Sequence, residues 1–446
     1  MSLLNRPLKI RVLFIFIWVL IAFVFSEMAL SLSYRLLFKH SFQKSEIRTQ
    51  LRTLAENEPS LNKNTTRGDY KTIDRDFSKD FSTRKMTSQI EVVHPFLGYV
   101  QDPRRNPNVS EFGFPGRINP VLKRSSDRLI VGLVGGSVAM WTYFDGRERL
   151  IEQLKRVPVW KNREIIVLNL SMGGYKQPQQ LMTLAYMLSL GAQFDVILNL
   201  DGFNEVALSS VENVPKKVFP LFPRDWFFRV GNVNDPSLLI KMGELGIINQ
   251  KRKTWAILLE SLGFDHSAVL TVFWKGADRI LESSRSRKIA DIQNQSARLD
   301  EISSYVFEGP FAPPANEKDL FQFLATSWAE SSLQMKNICV GNGIRYFHFL
   351  QPNQYLSGSK KMNLDEQKRA IKKDYRYRKS IETGYPVLIH QGKVLRKQNV
   401  VFTDLTMIFA DTDVPLYIDE CCHLSPQGNE MLATKMGQVV VNETWK

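Results

Sequence analysis

One serine of this sequence lies where its hydroxyl could act as a nucleophile. Gly135, Gly136 and Ser137 follow an apolar run and precede a helical pattern. A serine at such a strand-to-helix turn exposes its hydroxyl, and its backbone N–H lies near the positive end of the helix dipole. This position suits nucleophilic attack and stabilisation of the resulting oxyanion. Alone, however, Gly-Gly-Ser is equally typical of an ordinary turn or helix N-cap.

Two further turns could donate hydrogen bonds to an oxyanion. Gly173 and Gly174 follow the second apolar run, and paired glycines let a backbone N–H approach a ligand closely. Asn204 follows the third run, within Asp201-Gly-Phe-Asn-Glu, and its side-chain NH₂ is a candidate donor. Each of these turns, taken alone, is also typical of a tight connection without a chemical role.

His423, close to the C-terminus, is the candidate general base. It lies in a loop, three residues after Glu420 and four after Asp419, and a helical pattern follows. A carboxylate at this spacing can accept a hydrogen bond from the imidazole and fix its tautomer, which leaves the other ring nitrogen free for a serine. We expect Glu420 to be this carboxylate, because its longer side chain can make up for a small backbone displacement. Asp419 is the alternative.

Five short apolar runs predict the strands that must position these residues. They are bounded by turn residues and span positions 129–134, 165–168, 196–200, 346–350 and, more weakly, 400–402. Strands that alternate with helical patterns predict a parallel sheet with right-handed crossovers. Ligands of such sheets bind beyond the carboxyl ends of the strands, which is where the candidate residues lie.

Together, these turns resemble the four sequence blocks of the SGNH, or GDSL-type, hydrolase superfamily, in the same order and after the same strands. The strongest match is His423-Leu-Ser-Pro-Gln-Gly-Asn. Gly135 stands where the family often has aspartate, Glu205 replaces the aspartate of Gly-x-Asn-Asp, and Glu420 replaces the aspartate three residues before the histidine. The resemblance covers about residues 127–208 and 335–440.

The resemblance implies a fold, an activity and a set of site residues. The fold is an α/β/α sandwich of three layers with a five-stranded parallel, flavodoxin-like sheet. The activity is ester hydrolysis or acyl transfer through an acyl-enzyme, with Ser137, His423 and a carboxylate as catalytic residues. The oxyanion hole consists of the N–H groups of Ser137 and Gly174 and the side chain of Asn204. No cofactor and no metal is implied.

Composition excludes several other classes of protein. The chain has 446 residues, of which 43% are hydrophobic and 23% are charged, so collagen-like, low-complexity and wholly disordered classes are excluded. Its three cysteines, Cys339, Cys421 and Cys422, cannot form a disulfide framework, because adjacent cysteines resist bridging. We interpret Cys421 and Cys422 as buried small residues.

The net charge of +14 raises the question of an anionic partner. The excess is distributed, and its densest cluster, residues 360–379, has nine Lys or Arg against three acidic residues. This cluster is typical of a solvated helix face or loop; the alternative is a surface that holds anionic glycans or lipid headgroups. No zinc-finger spacing, RNA-recognition motif or phosphate-binding loop accompanies it, so we expect no nucleic-acid partner.

The N-terminus has a membrane-directed pattern. Residues 12–26 contain no charged residue, and Arg6, Lys9 and Arg11 precede them. This pattern predicts a transmembrane signal-anchor over 12–34, with residues 1–11 in the cytoplasm and the rest of the chain outside. A signal peptide that is cleaved before secretion is the alternative.

The rest of the chain divides into two predicted parts. Residues 35–93 are polar and mixed in charge, which predicts a stalk. Residues 94–446 would form the hydrolase domain, with a helical insertion over 209–319 that is either an extra packing layer or a lid or acceptor-binding surface.

These observations lead to two hypotheses of function. The first is a membrane-anchored serine esterase or acyltransferase that acts on O-acyl esters, above all O-acetyl esters, of a cell-surface glycan or related amphiphile. The second is a non-catalytic member of the fold that binds glycans or serves as a scaffold. The sequence does not distinguish hydrolysis from transfer, and it does not predict an oligomeric state.

Overall fold

The computed structural model describes most of the chain. The described residues are nine positions between 17 and 29, followed by 42–55, 90–230, 236–263, 266–297, 308–310 and 312–444. The chain divides into two compact units. The smaller comprises Met1–Ser60 and Asn232–Asp300, and the larger comprises Leu61–Gly231 and Glu301–Lys446.

The larger unit is built on a parallel sheet of five strands. An antiparallel pair comes first in the chain and forms a separate small sheet, β1 (Glu91–His94) and β2 (Gly98–Gln101). The five parallel strands follow and are β3 (Arg128–Gly135), β4 (Glu164–Asn169), β5 (Val196–Asp201), β6 (Arg345–Leu350) and β7 (Val401–Asp404). The parallel strands lie in the order β4-β3-β5-β6-β7, a doubly wound 2-1-3-4-5 order. The five predicted strands are confirmed, each end within two residues.

From Lys44 onward, the described residues form eleven α-helices across the two units. They are α1 (Lys44–Ala55), α2 (Ser137–Leu154), α3 (Gln179–Ser189), α4 (Phe203–Leu208), α5 (Trp226–Val230), α6 (Pro236–Ser261), α7 (Ala268–Ala297), α8 (Glu317–Gly341), α9 (Leu364–Ala370), α10 (Arg378–Lys397) and α11 (Pro426–Thr444). The smaller unit contains α1, α6 and α7, and the larger unit contains the others.

Helices cover both faces of the sheet. The connection from β3 to β4 moves toward one edge of the sheet, whereas the connections from β4 to β5, β6 and β7 move toward the other edge. Because crossovers are right-handed, α2 lies on one face of the sheet and α3, α8 and α10 lie on the opposite face. The contacts agree, because α2 packs on β3, β4, β5 and α11, whereas α8 packs on α3 and α10. All six residues of β5 are buried, as expected for a strand covered on both sides. The arrangement is consistent with the expected three-layer α/β/α sandwich.

The helices α2 and α11 pack closely because glycine lies at their contact. A Cβ added at Gly146 of α2 would lie 2.6 Å from the Cβ of Ala433 and 2.6 Å from the carbonyl oxygen of Asn429, both in α11. The Asn429 side chain also donates a 2.7 Å hydrogen bond to Asp145 of α2. Since α2 begins at Ser137 and α11 begins three residues after His423, this packing sets how near those two residues can come.

The smaller unit is a set of packed helices with its own apolar core. Helix α6 packs against both α1 and α7. The core residues are Ile47, Leu51, Ala256, Leu259 and Trp274. The predicted insertion, 209–319, is therefore divided, because α6 and α7 belong to this unit whereas residues 209–230 belong to the larger one.

The predicted stalk, 35–93, contains a helix and the start of a strand among its described residues. Residues 44–55 form α1, whose Ile47 and Leu51 are buried against α6 and α7. The strand β1 begins at Glu91, three residues before the predicted start of the hydrolase domain. Positions 56–89 lie outside the described residues.

The predicted signal-anchor, 12–34, and the predicted cytoplasmic segment, 1–11, fall almost entirely outside the described residues. Nine positions between 17 and 29 are described, and all nine are helical. Among them, Glu27 accepts hydrogen bonds from the hydroxyl of Ser267 (2.7 Å) and the N–H of Val269 (3.1 Å), at the start of α7, where backbone donors need acceptors. In the described part of the chain, no helix combines the length and the apolar character that a membrane crossing requires.

The close contact at Gly146 gives a first testable prediction. In Gly146→Ala, the added methyl group would press into Ala433 and the backbone of α11, so we expect a loss of about 1–3 kcal/mol in the free energy of unfolding. Urea denaturation measures this loss. The control is Gly341→Ala at the end of α8, where no atom lies within 4 Å of the new Cβ; this variant should lose nothing. Equal stability of the two variants would show that α2 and α11 do not depend on the glycine.

Candidate active site

Ser137 lies at the first position of α2, two residues after β3 ends at Gly135. The turn depends on Gly135, whose φ of +150° is rarely adopted by other residues. A Cβ at Gly135 would also overlap the carbonyl oxygen of Leu200 on the neighbouring strand β5 and would lie 2.7 Å from the Cβ of Ala139. A residue with a side chain therefore does not fit at position 135 of this backbone.

The structure brings Ser137 and His423 together, although 286 positions separate them in the chain. The distance between Ser137 Oγ and His423 Nε2 is 2.8 Å, and His423 Nδ1 lies 2.5 Å from Asp419 Oδ2. In the neutral tautomer with a proton on Nδ1, the ring donates to Asp419, and Nε2 accepts from the Ser137 hydroxyl. This is the hydrogen-bond chain that a serine nucleophile needs for its activation.

Asp419, and not Glu420, contacts His423, so the expected pairing of Glu420 is wrong. Asp419 Oδ1 accepts hydrogen bonds from the N–H groups of three successive residues, 421–423, at 2.9–3.2 Å. This turn curls the loop so that Asp419 lies beside the imidazole. The next side chain points outward, and Glu420 forms a 2.6 Å ion pair with Lys372 at the surface.

The environment of the pair changes both pKa values. Burial lowers the pKa of His423, but the hydrogen bond to Asp419 and the negative charge of Cys421 and Asp419 outweigh burial and raise this pKa to about 9. Burial raises the pKa of Asp419, but its hydrogen bond with His423 and the charge of the imidazolium lower it by more, so the pKa of Asp419 lies below its usual value. The pair is therefore stabilised as a carboxylate beside an imidazolium.

The other two turns lie beside Ser137. The Asn204 side chain donates a 2.7 Å hydrogen bond to the carbonyl oxygen of Tyr175, and its amide nitrogen lies 2.4 Å from the position that a Cβ on Gly136 would occupy. Gly174 has a φ of +83°, and a Cβ there would lie 2.7 Å from Tyr99 Oη. Among the described residues, the backbone N–H groups of Ser137 and Gly174 have no acceptor, so both can donate to an oxyanion.

Glu205 connects two of these turns, a role that the sequence did not predict. One of its oxygens accepts from the N–H of Gln177 (3.2 Å) and the side chain of Gln180 (3.1 Å), and the other accepts from the N–H of Gly202 (2.8 Å). Burial and the charge of Asp201 raise the pKa of Glu205 to about 8. The motif revealed only that glutamate replaces aspartate here.

A buried lysine anchors the same region. Lys176 Nζ donates to the Ser209 hydroxyl (2.9 Å) and to the carbonyl oxygen of Pro220 (2.5 Å), and burial lowers its pKa to about 7. These bonds fix the chain after Gly174 to the segment that follows α4. No sequence signal distinguished Lys176 from a surface lysine.

The adjacent cysteines lie next to His423. Cys422 is buried, Cys421 is half-buried, and their sulfur atoms are 3.1 Å apart. The ligand atoms of Cys421, Cys422 and His423 lie within 4.8 Å of one another. Both nitrogens of His423 are already hydrogen-bonded, to Asp419 and Ser137, so a metal at the cysteines would have to displace one of these contacts.

A second Ser–His–Asp arrangement lies inside the same unit. Ser332 Oγ is 2.7 Å from His348 Nδ1, and His348 Nε2 is 2.9 Å from Asp201 Oδ1. Trp328 also donates to this oxygen of Asp201 at 2.7 Å. Ser332 and His348 are completely buried, so no substrate can reach them, and the arrangement joins α8 to β5 and β6.

Comparison with known proteins identifies no relative. No known family model matches the sequence, and no curated protein matches it either. The resemblance to SGNH hydrolases therefore stays a prediction from the four sequence motifs.

Proposed function

We propose that this protein is a serine esterase or acyltransferase of the SGNH type. The observation that carries the proposal is the hydrogen-bond chain from Ser137 through His423 to Asp419 at the carboxyl end of β3. Doubly wound sheets bind their ligands at the carboxyl ends of their strands, which is where Ser137 lies. Free N–H groups of Ser137 and Gly174 lie nearby, as an acyl-transfer site requires.

The reaction would proceed in two halves. Ser137 Oγ attacks the ester carbonyl carbon while its proton moves to His423 Nε2, and Asp419 stabilises the imidazolium. The N–H groups of Ser137 and Gly174 and the side chain of Asn204 donate to the oxyanion. When the tetrahedral intermediate collapses, the alcohol leaves with the proton from His423, and the acyl group stays on Ser137. Water or a second hydroxyl then attacks the acyl-enzyme by the reverse steps.

The proposed substrates are O-acyl esters, above all O-acetyl esters, of a cell-surface glycan or related amphiphile. The predicted signal-anchor supports this setting, since it would place the site outside the membrane; after cleavage of a signal peptide, the protein would be secreted. The proposal covers both hydrolysis and transfer, because the two share the acyl-enzyme half-reaction.

The second hypothesis, a non-catalytic glycan-binding or scaffold protein, would be favoured if the serine and the histidine were too far apart to react. The 2.8 Å distance between Ser137 Oγ and His423 Nε2 favours catalysis over this alternative.

Labelling with a fluorophosphonate probe tests whether Ser137 is a nucleophile. We expect the full-length protein to be labelled and Ser137→Ala to remain unlabelled, because the probe reacts with an activated serine hydroxyl. Ser332→Ala is a matched control, since Ser332 also contacts a histidine but is buried; this variant should be labelled like the original protein. Equal labelling of Ser137→Ala would exclude the proposed nucleophile.

The two carboxylates before His423 should differ in their effect on turnover. Asp419→Asn removes the charge beside the imidazolium, so kcat for 4-nitrophenyl acetate should fall by roughly 10² to 10⁴. Glu420→Gln breaks only a surface ion pair and should change kcat by less than about tenfold. Similar, small effects of the two substitutions would mean that another group orients His423.

The raised pKa of His423 determines the expected pH dependence. Only the neutral imidazole can accept the proton of Ser137, and an unperturbed histidine would provide it above about pH 6.5. Here the pKa is raised to about 9, so kcat/KM should still be rising between pH 7 and 9. Asp419→Asn should move this rise to lower pH, and Glu420→Gln should not. A profile of the original protein that is flat above pH 6.5 would contradict the assigned environment of His423.

A further inference from the structure

Two arginines share one buried carboxylate in the larger unit. Arg224 donates from Nε and Nη2 to the two oxygens of Glu212 at 3.0 and 3.1 Å, and Arg376 donates from Nη2 to one of them at 2.5 Å. The side chain of Glu212 is only 4% exposed, whereas those of Arg224 and Arg376 are 41% and 59% exposed. Glu212 therefore binds both guanidinium groups on their buried side, and their other side stays exposed to solvent.

Arg224 lies against the turn that carries the candidate oxyanion donor. Its Cδ lies 2.9 Å from the position that a Cβ on Gly174 would occupy. Its charge also reaches the general base, because Arg224 slightly counteracts the rise in the pKa of His423. Arg224 thus lies beside the turn whose N–H is a candidate oxyanion donor, and Glu212 joins Arg376 to Arg224.

The charges of this cluster do not cancel. Glu212 neutralises one of the two guanidinium groups, and its single negative charge leaves an excess of +1. Asp225 lies 3.8 Å from Arg224 and also 3.8 Å from Lys216. The negative charge of Asp225 is therefore balanced by the positive charge of Lys216, and the excess of +1 remains. Arg229, which is also close by, is paired with Glu91 at 2.5 Å. One arginine is enough to neutralise Glu212, so the second arginine is not needed for that purpose.

Arg376 differs from other basic residues in the cluster at 360–379. Several of those residues each have an acidic partner that no second cation of the described chain shares: Lys360 with Glu366, Lys372 with Glu420, Arg378 with Glu382, and Lys379 with Glu317. A guanidinium has five N–H donors, and within the described part of the chain Arg376 donates to Glu212 and to the hydroxyl of Tyr377. Donors on its exposed side remain for a ligand.

We propose that Arg224 and Arg376 bind an anionic group of the substrate, and that the preferred substrate is an acyl ester of an acidic sugar. This inference rests on the proposed function of Ser137. Guanidinium groups recognise carboxylates and phosphates through paired N–H donors, and Glu212 orients both groups before the substrate arrives. The carboxylate of a uronate residue would bind the arginines while the ester on a neighbouring hydroxyl lies at Ser137.

The test compares acetate release from O-acetylated polygalacturonate and from an O-acetylated neutral glucan by the full-length protein. The original protein should have the higher kcat/KM for the acidic polymer. Arg376→Gln should reduce this preference by about tenfold, the effect of losing one charge-assisted contact. This variant keeps the Arg224–Glu212 pair, so Glu212 does not lose its charge partner.

Two further variants separate charge from folding. Arg224→Lys keeps the charge but loses the paired donors, so the preference should fall only in part. Arg149→Gln is the matched control, because Arg149 is 50% exposed and pairs with Glu152 and Glu430 on the surface of α2 and α11; its preference should equal that of the original protein.

The outcomes of this test can be told apart from failure of the proposed function. If the protein reacts with the fluorophosphonate probe but shows no preference for the acidic polymer, the anion site is refuted and the esterase proposal stands. If dihexanoyl phosphatidylglycerol is preferred to both polymers and Arg376→Gln removes that preference, the arginines bind a phosphate and the acidic-sugar assignment is refuted. If the probe does not label Ser137, both proposals fail.

Discussion

The contact between α2 and α11 is the constraint on which the candidate site depends. Ser137 begins one helix and His423 lies three residues before the other, so the separation of the helices determines whether the two side chains can meet. Gly146 permits the close approach, and the Asn429–Asp145 hydrogen bond fixes the rotation of one helix against the other. The 2.8 Å contact between serine and histidine is therefore a consequence of helix packing, supported by a large apolar core.

Buried polar groups hold the surrounding turns in place. Glu205 accepts hydrogen bonds from the turns after β4 and β5. Lys176 connects the turn after β4 to residues 209–220 through two hydrogen bonds, and Glu212 accepts hydrogen bonds from two arginines. A buried polar group is costly unless it is hydrogen-bonded, so such networks strongly favour one arrangement. They give the site the rigidity that oxyanion donors need, since catalysis gains only from donors that are already in position.

Access, and not hydrogen bonding alone, distinguishes the two Ser–His–Asp arrangements. Both have a serine-to-histidine distance below 3 Å. Ser332 lies between α8 and the sheet with no exposed surface, whereas Ser137 lies at the carboxyl edge of β3 and the imidazole of His423 is 23% exposed. The same three residue types therefore strengthen the core in one place and can meet a substrate in the other.

The sequence by itself determined the five strands and three of the turns that follow them, because apolar runs and glycine-rich turns are local patterns that each segment carries alone. It also identified Ser137, Gly174, Asn204 and His423 as candidates. Only the tertiary structure decided that Asp419 and not Glu420 contacts His423, since the direction of each side chain depends on how the loop curls. It alone placed Lys44–Ala55 against α6 and Arg224 beside Gly174, because these contacts join segments far apart in the chain, and no local pattern encodes which distant surfaces will meet.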